Sequence, residues 1–344
     1  MKIRTSRLLA LPAAALLTLL AACTGGGPDT PSSAPPASAD SVTVDINPQP
    51  RTLLAEGGEL RVPITKWGEQ WNPLHEDGVS GNQRQIQSSL MPRLFNYDAD
   101  GNPAPNPDYL TAVHASGENP QVVTYTLNPS ARWGNGRPIG VQDFVANWEA
   151  CNGQNVSFDC KSTKHLSEVE SIEEGANPEQ VVVTYKGAYD DWPSTFFYLA
   201  PAGGVQDPET FNEGWTDLTK ISDWLGGPFV VSEFDQDADV LIETANPDWW
   251  GETPKLAQLT FRKYRQSDQS EAFQDHQLDV ADISDDSDES DTINALPDAE
   301  VRVAVDPENQ ERELIATRTA LANYGAFGES TVTWPDVGYL SPNA

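Results

Sequence analysis

The sequence predicts a mixed α/β fold with more than one lobe. Segments that alternate between apolar and polar residues, as strands do, are interspersed with segments whose apolar residues recur every three to four positions, as in amphipathic helices. These segments do not follow the regular strand–helix–strand order of a doubly wound sheet, and no internal repeat is present. Hydrophobic residues make up 38% of the 344 residues and include ten tryptophans, which is enough to form a hydrophobic core.

The individual elements can be placed along the chain in order. Alternation predicts the first strand at 59–64, and Ile86, Leu90 and Leu94 predict a helix within 82–94 that Pro92 must end or bend. Gly, Asp and Asn residues predict a turn at 98–102. The later elements are strands at 122–127, 181–185, 259–262 and 280–283, helices at 138–150 and 270–277, and a hairpin of 229–234 with 240–243.

The chain is strongly acidic, with 52 Asp and Glu against 21 Lys and Arg and a formal net charge of −31. This balance argues against binding to nucleic acid or to anionic lipid head groups, because both need a basic surface. Eleven of the acids lie at 271–300, where no Lys or Arg occurs. This run has two interpretations, a solvated surface or a low-affinity calcium patch.

The N-terminal segment has the pattern of a secretory signal peptide. Lys2, Arg4 and Arg7 precede an apolar run at 8–22 that is too short for a membrane span. The run ends in Leu-Ala-Ala-Cys, which resembles the bacterial lipoprotein box, so we expect cleavage after 1–22 and a lipid on Cys23. Residues 23–50 are rich in Gly, Pro, Ser and Ala and predict a flexible tether. The sequence therefore predicts a protein anchored outside the cytoplasmic membrane.

The remaining chemical motifs favour a binding protein over an enzyme. Cys151 and Cys160 are expected to form a structural disulfide, since an exported chain is oxidised and no CxxC motif is present. The four histidines do not have the spacing of a zinc site, and no nucleophile elbow or phosphate-binding loop occurs. We therefore expect no catalytic residue, no metal and no cofactor.

Three stretches carry a specific combination of motifs. The first is PRLFNYDADGNPAP at 92–105 with ARWGNGRP at 131–138, and the second is GPF at 227–229 with NPDWWG at 246–251. The third is AFQDHQLDVAD at 272–282. Together they resemble the extracytoplasmic solute-binding proteins of bacterial dipeptide and oligopeptide ABC importers, family 5. Asn135, Gly140 and Gln277 depart from the family pattern, which has Asp, Ser or Thr, and Gly at these positions.

The resemblance implies a periplasmic-binding-protein-like bilobal α/β fold (class II, cluster C type) with an incomplete second lobe. It assigns 51–98 and 190–265 to the core of lobe I, 99–189 to an extra subdomain, and 266–311 to a remnant of lobe II. Residues 312–344 are expected to return to lobe I. After 311–317 the sequence continues directly into a segment that resembles the C-terminus of family members, which indicates an internal deletion near this point; the alternative is an ordinary divergent truncation.

The resemblance also implies a peptide held between two lobes and delivered to ABC permease and ATPase subunits by a monomer. The near wall is expected at Asp77, Gly78, Val79 and Ser80, although Asp77 has an equally good reading as a turn residue. Trp67 and Trp71 are candidates for contact with apolar ligand side chains. With much of the far wall missing, we expect weak or no peptide binding. Two alternatives are a secreted acidic hydrolase and a lipoprotein sensor or scaffold without transport, and related ligands such as nickel, haem or sugar remain open.

Overall fold

The computed structural model describes residues 56–97, 102–117, 119–283, 287–305 and 312–318. The strands are β1 Glu59–Ile64, β2 Phe95–Tyr97, β3 Pro103–Pro105, β4 Leu110–Ala115, β5 Val122–Leu127, β6 Val169–Glu174, β7 Gln180–Tyr185, β8 Phe229–Asp235, β9 Val240–Ala245, β10 Gln258–Lys263, β11 Val280–Ile283, β12 Ala299–Val305 and β13 Arg312–Arg318. The α-helices are α1 Gly81–Leu90, α2 Val141–Cys151, α3 Ala202–Val205, α4 Pro208–Glu213, α5 Gln266–Gln274 and α6 Ser287–Asn294.

A four-stranded sheet in the order β1-β10-β9-β8 organises the first part of the fold. β1 pairs in parallel with β10, and the other pairs are antiparallel. Burial alternates along β1, where Leu60, Val62 and Ile64 are each 1% exposed, so the predicted strand and its inward face are confirmed. The predicted hairpin is β8–β9, with a register shift between Val231 and Glu233.

A second four-stranded sheet, β4-β5-β7-β6, is antiparallel throughout and packs against α2. Its inward residues join a cluster of aromatic rings in which the centroids of Phe144 and Phe196 are 4.7 Å apart. The predicted helix at 138–150 begins at Val141, because Gly140 is its N-cap and the carboxylate of Asp143 accepts a hydrogen bond from the Gly140 backbone N–H at 3.0 Å.

The two sheets and the helices around them share one large hydrophobic core, whereas most buried apolar residues from α5 onward form a second core; Val280 and Ile315 are the exceptions and pack into the first. We call the described residues up to 265 the large lobe and those from 266 to 318 the small lobe. In the small lobe, a three-stranded antiparallel sheet in the order β11-β13-β12 packs with α5 and α6 around Phe273, Leu278 and Ile293.

Several boundaries differ from the sequence predictions for identifiable reasons. α1 ends at Leu90 rather than 94, because Pro92 cannot continue a helix. The helix predicted at 270–277 runs from Gln266 to Gln274. Residues 312–318 were assigned to lobe I, but β13 is the central strand of the small lobe, where both of its edges find partner strands. Residues 98–101, the signal peptide, the tether, Cys23 and 319–344 lie outside the described residues.

An ion pair joins the two lobes beside β1. The guanidinium of Arg61 donates to both carboxylate oxygens of Asp279, from Nε to Oδ2 at 2.9 Å and from Nη2 to Oδ1 at 2.7 Å. The backbone N–H of Arg61 also donates to Oδ2 at 2.8 Å, and the backbone N–H of Asp279 donates to the Arg61 carbonyl at 3.0 Å. The hydrogen bonds to Asp279, opposed in part by burial, raise the pKa of Arg61. In the described part of the chain, no helix has the length and apolar character needed to cross a membrane.

Candidate ligand-binding cleft

The predicted near wall, residues 77–80, is a tight loop that leads into α1. Ser80 caps the helix: its Oγ accepts from the Gln83 backbone N–H at 3.3 Å, and its own N–H donates to Oε1 of Gln83 at 3.0 Å. Two glutamines of α1 hold the loop by hydrogen bonds: Nε2 of Gln83 donates to the Asp77 carbonyl and Nε2 of Gln87 donates to the Gly78 carbonyl, each at 3.1 Å. The sequence NQRQIQ thus fixes the loop through side-chain amides rather than through packing alone.

Within this loop, Gly78 and Val79 differ in what they offer a ligand. A Cβ atom on Gly78 would lie 1.8 Å from the Asn72 carbonyl oxygen, so only glycine fits at this close approach of two backbone segments. The N–H and the carbonyl of Val79, in contrast, make no hydrogen bond with any described residue. The Asp77 side chain is exposed, and its backbone N–H donates to Nδ1 of His75 at 3.0 Å, which fits a turn.

An apolar cavity of about 400 Å³ lies beside Val79 on the large lobe. Its walls come from the segment before the loop, from 161–166 and from 194–198, with Leu74, Val79, Leu166, Phe197 and Tyr198 among the lining residues. His165 also lines this cavity, and burial, opposed by Asp191, lowers the pKa of its imidazole. Nδ1 of His165 lies 2.7 Å from the Tyr189 hydroxyl. The cavity has the size and the character of a pocket for an apolar side chain.

The disulfide supports one wall of this cavity. Cys151 at the end of α2 is bonded to Cys160. The residues next to Cys160 form hydrogen bonds with the segment just before the loop 77–80. The backbone N–H of Lys161 donates to the Leu74 carbonyl at 2.8 Å, and the backbone N–H of Glu76 donates to the Asp159 carbonyl at 2.8 Å. The cross-link therefore ties the segment that holds 74–76 to the helix α2.

A second cavity, of about 340 Å³, separates the two lobes. We call it the inter-lobe cleft. The large lobe contributes the end of β1 and the start of α1, and the small lobe contributes α5, β11 and Ile315 of β13. Among the described residues, its polar lining consists of amide and hydroxyl side chains and one carboxyl group: Thr65, Asn82, Gln85, Gln266, Gln269 and Asp282. Burial is the main factor that raises the pKa of Asp282, with a smaller contribution in the same direction from Glu289.

The two tryptophans proposed from the sequence lie in the core instead of the cleft. Trp71 is 1% exposed, and Trp67 is half-buried. Both pack edge-on against Phe234, with ring centroids 5.0 Å away for Trp67 and 6.1 Å for Trp71. Neither residue lines the two cavities described here. Their apolar surface is therefore used to pack β8 against the loop after β1.

The sequence named Val79 as a ligand-binding residue, a role that stays a prediction, and it named none of the other residues that line the two cavities. The loop 77–80 passes between the two cavities, because Val79 lines the apolar cavity and Gly81 lines the inter-lobe cleft. No sequence motif marked Gln266, Gln269 or Asp282 as cleft residues. Asp282 in particular lies within a long run of acidic residues. Of the amide side chains that are closely spaced at 82–87, Asn82 and Gln85 line the cleft, and this spacing was the available sequence signal for a polar cleft.

Comparison with known proteins identifies this arrangement. Residues 104–313 match the family model described as bacterial extracellular solute-binding proteins, family 5 middle. The oligopeptide-binding protein OppA of Mycobacterium tuberculosis is 35% identical over 227 residues, which cover 65% of this chain and 38% of that protein. The periplasmic oligopeptide-binding protein OppA of Escherichia coli is 25% identical over 198 residues, or 52% of this chain and 35% of that protein. The chain thus spans well under half the length of these relatives.

Solved structures show the same fold. The periplasmic EDTA-binding protein EppA superposes with a TM-score of 0.68 at 23% identity, covering 74% of this chain and 49% of that one. The oligopeptide-binding protein AppA of Bacillus subtilis, in complex with a nonapeptide, superposes with a TM-score of 0.62 at 13% identity, covering 73% and 49%. The predicted periplasmic-binding-protein-like α/β fold is confirmed. Because the family model matches more than half of the sequence, the chain belongs to the bacterial extracellular solute-binding proteins of family 5.

Proposed function

We propose that this chain captures peptides outside the cytoplasmic membrane, as the solute-binding component of an ABC importer. The observation that carries the proposal is Val79: its backbone N–H and carbonyl are unpaired within the described residues and lie beside an apolar cavity, in a chain of a solute-binding family. The relatives named as oligopeptide-binding proteins support peptides as the ligand class.

A peptide uses both features of this wall at once. An extended peptide carries alternating N–H and carbonyl groups, which pair with a backbone segment such as Val79 without regard to sequence. Its apolar side chains enter the cavity formed by Leu74, Leu166 and Phe197. The rigid loop keeps this geometry in the absence of ligand, because Gln83 and Gln87 already hold the neighbouring carbonyls. Pre-organisation of this kind lowers the entropic cost of binding.

We expect the affinity to be low. The 227 matched residues cover 38% of the mycobacterial relative, and the part of the chain that the structure describes supplies one wall and a small lobe. A ligand that is not enclosed keeps part of its hydration and gains fewer contacts. Dissociation constants weaker than about 1 µM are therefore expected, equivalent to a binding free energy of less than about 8 kcal/mol in magnitude.

The remaining parts of the proposal rest on the sequence pattern. We propose cleavage of residues 1–22, lipid attachment at Cys23 and a tether at 23–50, which together hold a monomeric binding protein near permease and ATPase partners in the membrane. The family description, bacterial extracellular solute-binding proteins, supports a location outside the cytoplasm. Within this proposal the chain is a binder and catalyses no reaction.

Calorimetric titration with a tripeptide such as Ala-Phe-Ala tests the backbone contact. Val79→Pro removes the free N–H, and we expect three- to tenfold weaker binding, about 1 kcal/mol, for the loss of one hydrogen bond. Val79→Ala keeps the N–H and serves as the matched control, with thermal unfolding to verify that both variants fold. Absence of heat up to millimolar peptide in the wild type would contradict the proposed function, and equal affinities of the proline and alanine variants would contradict the role of Val79.

A further inference from the structure

The apolar cavity of the large lobe has polar groups on one side. Leu74, Leu166 and Phe197 form hydrophobic walls. His165 and Thr195 bring polar side chains to the same lining. Thr195 is 7% exposed, and His165 is half-buried. The lining therefore suits a ligand group with an apolar body and one polar end better than a purely aliphatic side chain.

The imidazole ring of His165 is held in place from outside the cavity. Its Nδ1 lies 2.7 Å from the hydroxyl of Tyr189 and 3.5 Å from Oδ2 of Asp191. The ring of Tyr189 stacks on that of Tyr185 at a centroid distance of 5.2 Å, and the Tyr185 hydroxyl donates to Oγ1 of Thr195 at 2.9 Å. This chain of contacts joins the two polar residues of the lining, His165 and Thr195, so both are positioned before a ligand arrives.

The other ring nitrogen of His165, Nε2, is available to a ligand. It makes no hydrogen bond with a described residue. Tyr189 does not line the cavity, so the ring edge that contacts Tyr189 points away from the cavity and the opposite edge, which carries Nε2, points toward it. Burial, opposed by Asp191, lowers the pKa of His165, so the imidazole is neutral above about pH 7. In a neutral imidazole one nitrogen donates and the other accepts, and the partner of Nδ1 determines which role falls to Nε2.

A hydroxyl group suits Nε2 in either role, because a hydroxyl both donates and accepts hydrogen bonds, whereas a carbonyl only accepts and an ammonium group only donates. An aromatic ring that carries the hydroxyl matches the hydrophobic walls. We propose that this cavity selects a phenol side chain, that of a tyrosine in the bound peptide, and that Nε2 of His165 binds its hydroxyl. His165 is thus a specificity-determining residue. This inference rests on the proposed function for the peptide as ligand and deepens it by naming the side chain that the cavity takes.

An acidic side chain is the main alternative occupant, because Arg84 and Lys161 also line the cavity. Lys161 is exposed to solvent, where water and salt screen its charge. A glutamate carboxylate would also lose part of its hydration against the hydrophobic walls, which is costly for a charged group. A tyrosine fills these walls and keeps a hydrogen bond for its hydroxyl. The test therefore includes a glutamate peptide.

Calorimetric titration at about pH 7.5 with Ala-Tyr-Ala, Ala-Phe-Ala and Ala-Glu-Ala compares three side chains on one backbone, and 4-ethylphenol serves as a phenol that is not a peptide. With the wild-type chain we expect Ala-Tyr-Ala to bind about three- to tenfold more tightly than Ala-Phe-Ala, the usual advantage of one hydrogen bond between neutral groups.

Two substitutions of His165 separate the roles of its ring nitrogens. The amide of His165→Asn occupies the position of Nδ1 and keeps the contact with Tyr189, but it leaves the position of Nε2 empty, so the preference for tyrosine should fall below about twofold. The amide of His165→Gln reaches the position of Nε2 and should retain the preference. His114→Asn, at an exposed position of β4, is the matched control and should leave the ratio unchanged. Thermal unfolding verifies that each variant folds.

The wild-type comparison needs no variant. Equal affinities for Ala-Tyr-Ala and Ala-Phe-Ala, or tighter binding of Ala-Glu-Ala than of Ala-Tyr-Ala, would overturn the selection of a phenol while peptide binding stands. A preference for tyrosine that His165→Asn leaves unchanged would overturn the role of Nε2. Binding of 4-ethylphenol that His165→Asn weakens, without binding of any peptide, would support the phenol site and overturn the peptide function. Failure of all four ligands to bind would overturn both.

Discussion

The ion pair between Arg61 and Asp279 gives the most direct test of how the small lobe is attached. Asp279→Asn keeps the volume of the side chain but removes its charge and turns one acceptor oxygen into an N–H donor. Two of the three contacts at 2.7–2.9 Å come from the guanidinium, and the third comes from the Arg61 backbone. In the variant, one of these donors must face another donor.

The magnitude follows from burial. The side chain of Asp279 is 10% exposed and that of Arg61 is 29% exposed, so the pair is only partly screened by water. Charge-assisted hydrogen bonds contribute about 1.5–3 kcal/mol each, and partial exposure reduces this, so we expect a loss of about 2 kcal/mol. For a domain of this size, that corresponds to a fall in Tm of about 4–8 °C.

Differential scanning calorimetry of the wild type and two variants measures this fall. Asp268→Asn makes the same chemical change in the exposed pair of Arg265 and Asp268, whose side chains are 83% and 37% exposed. Because water screens an exposed pair, this control should lower Tm by much less than Asp279→Asn does. If Asp279→Asn lowers Tm no more than Asp268→Asn does, the contact does not hold the lobes together and the reasoning is wrong.

Two further substitutions test the loop and the core. Gly78→Ala forces a Cβ atom to within 1.8 Å of the Asn72 carbonyl oxygen, so we expect the free energy of chemical unfolding to fall by about 3 kcal/mol. Gly203→Ala is the control and should be close to neutral, because no atom lies within 4 Å of its new Cβ. Similar losses in both variants would contradict the close approach at Gly78. Glu243 is 0% exposed, its Oε2 lies 2.5 Å from Oγ of Ser89, and burial raises its pKa well above 4.5. The wild type therefore has its full stability from this group below pH 4.5 and loses it as the pH rises toward the folded-state pKa, by up to about 1.4 kcal/mol per pH unit. The Tm of Glu243→Gln minus that of the wild type should grow from pH 4 to pH 8, and a constant difference would show that Glu243 does not titrate with a raised pKa.

Local patterns predicted the elements whose side chains alternate or repeat regularly. β1, β5 and the β8–β9 hairpin follow their hydrophobic periods, and Pro92 marked the end of α1 within two residues. The central position of β13 was not predictable in this way, because it depends on pairing with β11 and β12, some 30 and 10 residues away. Strand order in a sheet is a property of the whole chain, not of a segment.

In the candidate site, too, local patterns indicated some residues, whereas others depend on the fold of the whole chain. Val79 was named as a site residue because its loop matched a family pattern, and that role stays a prediction. Trp67 and Trp71 were expected to contact the ligand, but both pack against Phe234. Composition alone does not distinguish a tryptophan that packs in the core from one that contacts a ligand. Asp279 and Asp282 look alike in the acidic run at 271–300, and only the position of Arg61 shows that Asp279 is the acid that forms the ion pair between the lobes.

A titration of the 15N-labelled protein with Ala-Phe-Ala, followed through the backbone amide resonance of Val79, tests the central claim most directly. The N–H of Val79, which has no hydrogen-bond partner among the described residues, should become a donor to the peptide. We predict a saturable downfield shift of this resonance, with a midpoint weaker than about 1 µM, accompanied by smaller shifts at residues that line the apolar cavity. A Val79 resonance that stays unchanged at several millimolar peptide, or that moves only with a metal ion or a sugar, would contradict the account.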